Sequence, residues 1–237
     1  MTPAASRPRV GVMVPANNTT VARELPQWLP TAAAIDVVRI PRGSGLLSPE
    51  TLPAYRDNAV ALARQLARAD IDVVGYGCTA AGFILGPEGD RALTQDLRAA
   101  TGKPVVTIAH AMNAALLELG VQRVALVTPY SRSVNDQLRS YIASVGIEVA
   151  AMDSFFAANV DELGRITAPQ VAELCRATMT DACHAMFIAC AQLPTFEVLD
   201  RLREEFGRPV LSSVQCMAAR IGEVATAPRL FARHPDM

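Results

Sequence analysis

The sequence predicts an α/β fold in two pseudo-symmetric halves, each a short parallel sheet flanked by helices, with a functional cleft between them. Three observations carry this expectation. Three apolar strand segments occur twice in the same order, the copies separated by roughly 114, 112 and 105 residues. Amphipathic helical patterns fill the intervals between them, as βαβ units require. A two-residue hairpin signal such as Asn-Gly or Asp-Gly is absent, which disfavours antiparallel pairing.

The first strand is Arg9–Pro15, echoed by Arg123–Pro129. The second is Asp72-Val-Val-Gly-Tyr-Gly-Cys78, echoed by His184-Ala-Met-Phe-Ile-Ala-Cys190. The third lies in Gly102-Lys-Pro-Val-Val-Thr, echoed by Gly207-Arg-Pro-Val-Leu-Ser. Leu52 to Ala67 has helical apolar spacing and opens at Ser48-Pro49-Glu50, with proline near a helix start. Its counterpart opens with the capping-box pattern Thr167-Ala-Pro-Gln170 and runs from Val171 to Thr178. Helices are also expected over Asn113–Leu119, Val134–Val145 and Thr195–Phe206, which stop at Gly120, Gly146 and Gly207, where glycine suits a helix C-terminus. Residues 8–118 form one half and 119–212 the other, with the last helix in 213–225 packing back on the first half. Residues 1–7 and 226–237 are expected to be weakly ordered.

Composition narrows the function. The 237 residues are 51% hydrophobic and 19% charged, with a net charge of −1, so a sizeable core forms and disorder is excluded. Basic blocks are absent and aromatic residues sparse, so no nucleic-acid partner is expected. The N-terminal stretch lacks a signal-peptide apolar run, and no segment approaches a membrane span of about 20 residues. A soluble cytoplasmic protein is expected. The five cysteines are Cys78, Cys175, Cys183, Cys190 and Cys216. Their odd number and the lack of C-x-x-C spacing argue against a disulfide framework and a metal site. The default for each is a small buried hydrophobe, and Cys175, Cys183 and Cys216 are assigned that role.

Cys78 and Cys190 differ because they recur at equivalent strand ends. Ligands of parallel sheets bind outside the carboxyl ends of the strands. Those ends carry Pro15-Ala-Asn-Asn18-Thr19-Thr20, Cys78-Thr79-Ala80, Thr128-Pro-Tyr130-Ser131 and Cys190-Ala191-Gln192. Both cysteines are expected just before helix starts, which would bind a carboxylate and lower the thiol pKa. Asn18, Thr19, Thr20 and Thr79 add uncharged donors, and no arginine clamp is evident. Asn17 and Asn18 also suit a helix cap, Tyr130 a core edge, and His110 and His184 structural positions; His234 is in the tail.

These segments resemble the Asp/Glu racemase superfamily, and within it the maleate isomerase and arylmalonate decarboxylase branch, from about residue 9 to residue 224. The motif at Pro15–Thr20 resembles the branch's Pro-Ser-Ser-Asn-Thr-Thr type. Gly77-Cys78-Thr79 resembles the first catalytic segment, and Ala189-Cys190-Ala191-Gln192-Leu-Pro194-Thr195 the second. The resemblance implies two catalytic cysteines, Cys78 and Cys190, and substrate contacts from Asn18, Thr19, Thr79, Tyr130, Asn159, Ala191 and Gln192. It implies no cofactor, a small carboxylate substrate and a homo-oligomer. The branch's decarboxylases have glycine where this chain has Cys78, which argues against decarboxylation. Asn17 and Val214-Gln215 depart from the isomerase pattern. The expected activity is cis–trans isomerisation of a small unsaturated dicarboxylate, maleate to fumarate, through a Cys78 adduct, with Cys190 as general acid/base. A two-thiol racemase or epimerase and a non-catalytic carboxylate-binding protein are the alternatives. No metal, nucleotide or pyridoxal is needed: Gly75-Tyr-Gly77 lacks the rest of a dinucleotide fingerprint.

Overall fold

The computed structural model describes residues 8–29, 33–43 and 45–226. The first half of the chain runs β1 (Arg9–Pro15), α1 (Thr20–Trp28), β2 (Ala34–Ile40), α2 (Leu52–Ala67), β3 (Val73–Tyr76), α3 (Thr79–Phe83), α4 (Gly86–Thr101), β4 (Val105–Thr107) and α5 (Ile108–Glu118). The second runs β5 (Arg123–Thr128), α6 (Arg132–Ala143), β6 (Glu148–Ser154), α7 (Val160–Arg165), α8 (Ala168–Thr178), β7 (Ala185–Ile188), α9 (Leu199–Phe206), β8 (Val210–Ser212) and α10 (Ser213–Thr226).

Two four-stranded sheets result, ordered β2-β1-β3-β4 and β6-β5-β7-β8. Every pairing is parallel, with Met13 opposite Tyr76 in one sheet and Leu126 opposite Phe187 in the other. The identical strand order is the structural form of the sequence repeat. The central strands β1, β3, β5 and β7 are almost wholly buried, which is why they appear as unbroken apolar runs. Buried side chains from both sheets and their helices join in one continuous core.

The elements differ from the expectation in places with a physical cause. The outer strands β2 and β6 were not anticipated, because each is half-exposed and mixes charged with apolar residues. The short helix α1 was hidden by its internal Pro26, and α4 by a polar sequence that starts Gly-Pro-Glu-Gly. The α9 helix begins at Leu199 instead of Thr195, after a turn. The Thr167 cap behaves as its sequence suggests, with its N–H donating to Gln170 Oε1 at 2.9 Å. The tail segments 1–7 and 227–237, with His234, lie outside the described residues.

Two glycines set the frame of the cleft. Gly77 donates its N–H to Met13 O at 2.7 Å, and a Cβ there would stand 2.9 Å from Val14 Cγ1. Glycine thus lets the end of β3 close against β1 immediately before Cys78. On β3 itself, a Cβ on Gly75 would sit 2.9 Å from Ile221 Cδ1 and 3.3 Å from Met217 Sδ. Helix α10 therefore lies directly on the first sheet, against α1 and α5.

Candidate active site

The carboxyl ends of β1, β3, β5 and β7 converge on one cavity. It is lined by Pro15, Asn17 and Asn18 after β1, by Gly77 to Ala80 after β3, by Tyr130 after β5, and by Cys190 to Gln192 after β7. The loop between β2 and α2 closes one side with Arg42, Leu46 and Leu47, and Leu163 of α7 adds an apolar contact. The cavity is small, about 40 Å³, room for only a few waters.

Cys78 occupies the cap position of α3 in extended conformation. Cys190 does not precede a helix: turns follow it as far as α9. There the Gln192 N–H donates to Cys190 Sγ at 3.4 Å, so a turn supplies the backbone donor that a helix start was expected to give. The expectation of lowered thiol pKa values is also corrected. Burial pushes both thiols up, because the thiolate is desolvated. The Ala81 N–H, the Arg42 guanidinium and the Tyr55 hydroxyl oppose that rise at Cys78, and the Gln192 N–H and Tyr130 hydroxyl oppose it at Cys190. Alkylation of Cys78 in the free protein is therefore expected to be slow at neutral pH and to keep accelerating above about pH 8.5, the ordinary thiol pKa. Mass mapping of iodoacetamide adducts across a pH series checks this, and a plateau below about pH 8 would show that burial is not the dominant influence.

Asn18 serves two ends of the site. Its Oδ1 accepts from Val21 N at 2.9 Å, capping α1, while its Nδ2 donates to Ala191 O at 3.1 Å. One amide hydrogen remains for a ligand. Beside it, Thr19 faces away from the cavity and exchanges hydrogen bonds with the Gln192 side chain, N to Oε1 and Nε2 to Oγ1, both 3.0 Å. Thr79 lines the cavity and donates to Ser213 Oγ at 3.1 Å. Tyr130 is buried edge-on to Phe83, and its hydroxyl reaches Cys190 and Thr79. Asn159 is not brought to this cavity: its Oδ1 caps α7, accepting from Asp161 N and Glu162 N at 3.0 Å each.

Among the described residues, three features escaped the sequence. Arg42 lines the cavity with its Nε buried and unpartnered, whereas no arginine was expected there. Asn17 contributes a buried Oδ1 without a partner, and turning its amide over would present donors instead. The buried hydroxyls of Tyr55 and Tyr76 have no hydrogen-bond partner of good geometry, yet Tyr55 lies close enough to Cys78 to act on its ionisation. Arg42 sits in a Pro-Arg-Gly stretch that carries the marks of an ordinary loop, and the tyrosine lies on a helix face, so neither gave a sequence signal.

The sequence matches the arylmalonate decarboxylase family over residues 10–229. The chain belongs to the arylmalonate decarboxylase and maleate isomerase family, within the Asp/Glu racemase superfamily. It is 30% identical over 213 residues to the arylmalonate decarboxylase of Bordetella bronchiseptica, covering 88% of this chain and 87% of that one. It is 27% identical over 229 residues to the maleate isomerase of Geobacillus stearothermophilus, covering 90% of each. A solved structure of the Nocardia farcinica maleate cis–trans isomerase superposes with a TM-score of 0.86 at 27% identity, over 92% of this chain and 93% of that one. That structure is of a cysteine-to-serine variant with a covalently bound succinylcysteine intermediate. Both activities of this enzyme family thus occur among relatives of similar identity, and the choice between them rests on the cavity.

Proposed function

We propose that this family member isomerises a small cis-unsaturated dicarboxylate, maleate, to its trans form through a covalent adduct on Cys78. The observation that carries the reading is the cavity with thiols at its two β-strand ends, Cys78 after β3 and Cys190 after β7. A C=C bond must lose its π component before it rotates. Cys78 adds as thiolate to one olefinic carbon, and the π electron pair moves to the neighbouring carbon and its carboxylate. Cys190 gives that carbon a proton, leaving a single bond that rotates. Cys190 then takes a proton back from the same carbon, the C–S bond breaks, and the double bond re-forms as trans with both thiols restored. The hydroxyl of Tyr130 and the free amide hydrogen of Asn18 stabilise the charge that develops on the carboxylate. The succinylcysteine adduct of the Nocardia farcinica relative supports this order of events.

Proton NMR in heavy water tests the reading against its rivals. The vinyl signal of maleate is expected to be replaced by that of fumarate. Loss of the α-proton signal of aspartate or glutamate, with maleate untouched, would favour the racemase. Carbon dioxide release from an arylmalonate would favour decarboxylation.

A further inference from the structure

The cavity is electrostatically lopsided. At the Cys190 end the polar groups are neutral: Tyr130, Asn18 and Gln192. At the Cys78 end stands Arg42, the one cation among the described lining residues. Arg42 and Tyr55 line an adjoining pocket together on this flank, and both act on the ionisation of Cys78. Its guanidinium is half-buried and in no ion pair among the described residues. One terminal nitrogen donates to Gly45 O, which ties the side chain to its own loop, while the buried Nε keeps an unused hydrogen. A buried N–H without a partner costs free energy until something accepts from it. An arginine fork with spare donors matches the two oxygens of a carboxylate.

We propose that Arg42 is the specificity-determining residue of this cavity: it takes the substrate carboxylate at the Cys78 end and makes the site select a dianion over the matching monoanion. The proposal rests on the reading of the cavity as a diacid site and adds what enforces the second carboxylate. The neutral donors at the Cys190 end hold one carboxylate whatever the rest of the ligand is. Only Arg42 supplies a full charge for the other. The same placement sets the direction of attack. With one carboxylate on Arg42, the olefinic carbon bearing it lies next to Cys78, and the π electrons move toward the carboxylate held by Tyr130 and Asn18.

Calorimetry with succinate and succinamate, two saturated ligands that differ by one charge, tests this without turnover. Wild-type protein is expected to bind succinate more tightly by about 10- to 100-fold, the worth of a hydrogen-bonded ion pair. Arg42→Gln is expected to lose most of that preference by weakening succinate alone, and Arg42→Lys to keep part of it. Equal weakening of both ligands would assign Arg42 to bracing its loop through Gly45 and overturn the proposal. So would an unchanged preference, or a wild type that binds neither ligand. The isomerase reading fails separately: Arg42-dependent preference for succinate in a protein that leaves the vinyl signal of maleate unchanged sinks that reading and keeps this one. Maleate isomerised with the same KM by wild type and Arg42→Gln does the reverse.

Discussion

Replacing Cys78 by alanine is expected to abolish isomerisation, with turnover falling by more than about 10⁴-fold, because no other group in the cavity forms the bond that releases the π electrons. Replacing Cys190 by alanine is expected to cost less, about 10²- to 10⁴-fold, the usual worth of acid/base assistance. The two variants also differ in kind. Cys190→Ala still has the nucleophile, so incubation with maleate is expected to leave a protein heavier by the mass of the diacid. Cys78→Ala is expected to stay at its own mass. Intact-protein mass spectrometry beside a turnover assay reads both. An adduct on Cys190 with Cys78 free would exchange the roles, and normal turnover by Cys78→Ala would end the covalent mechanism.

The second large effect concerns stability. Glu24 of α1 is 3% exposed. Its carboxyl group accepts from Thr195 N at 2.8 Å and Thr195 Oγ1 at 2.9 Å. Just beside it, Thr20 Oγ1 donates to Gln192 O at 2.7 Å. These bonds run between the segment after β1 and the segment after β7, and so pin together the two walls that carry Asn18 and Cys190. Glu24→Ala strands the buried Thr195 N–H, leaves the Thr195 hydroxyl only Ser212 Oγ at 3.1 Å, and opens a void. It is expected to lower unfolding free energy by about 2–4 kcal/mol, seen as a lower urea midpoint. Glu24→Gln, which keeps an acceptor oxygen, is expected to lose less. An unchanged midpoint in Glu24→Ala would mean that the cleft walls are held by packing alone. The nearby Arg23 contact, at 3.9 Å with Arg23 largely exposed, adds little.

The sequence was most legible where burial is uniform. Val10–Val14, Val73–Tyr76, Val124–Val127 and Ala185–Ile188 are strands inside sheets, and an apolar run has few other uses at that length. Because ligands of such sheets gather at strand ends, the same runs led to Cys78, Tyr130 and Cys190 at one cavity. Illegible parts depend on partners distant in the chain. Arg42 becomes a lining residue only because the loop after β2 folds over β3. Asn159 is the opposite case: the resemblance implied a substrate contact, while in the structure its Oδ1 meets the local demand of α7 for a cap. The raised pKa of both thiols was likewise invisible, since the sequence shows a strand end but not how deeply the chain packs around it.

The return of α10 to the first sheet has a consequence for how the protein is made. The glycine on β3 leaves a groove that Met217 and Ile221 fill, and both side chains are fully buried there. Those residues leave the ribosome last of all the described core, after the whole second sheet has been synthesised. At translation speeds of about 5–20 residues per second, a nascent first half waits several seconds with part of its apolar surface uncovered. The first half is thus denied the usual head start of the segment born first, and its completion is tied to synthesis of α10. Until α10 has been made, the sheet that carries Cys78 keeps an apolar groove open at Gly75, and docking of that helix is what closes it.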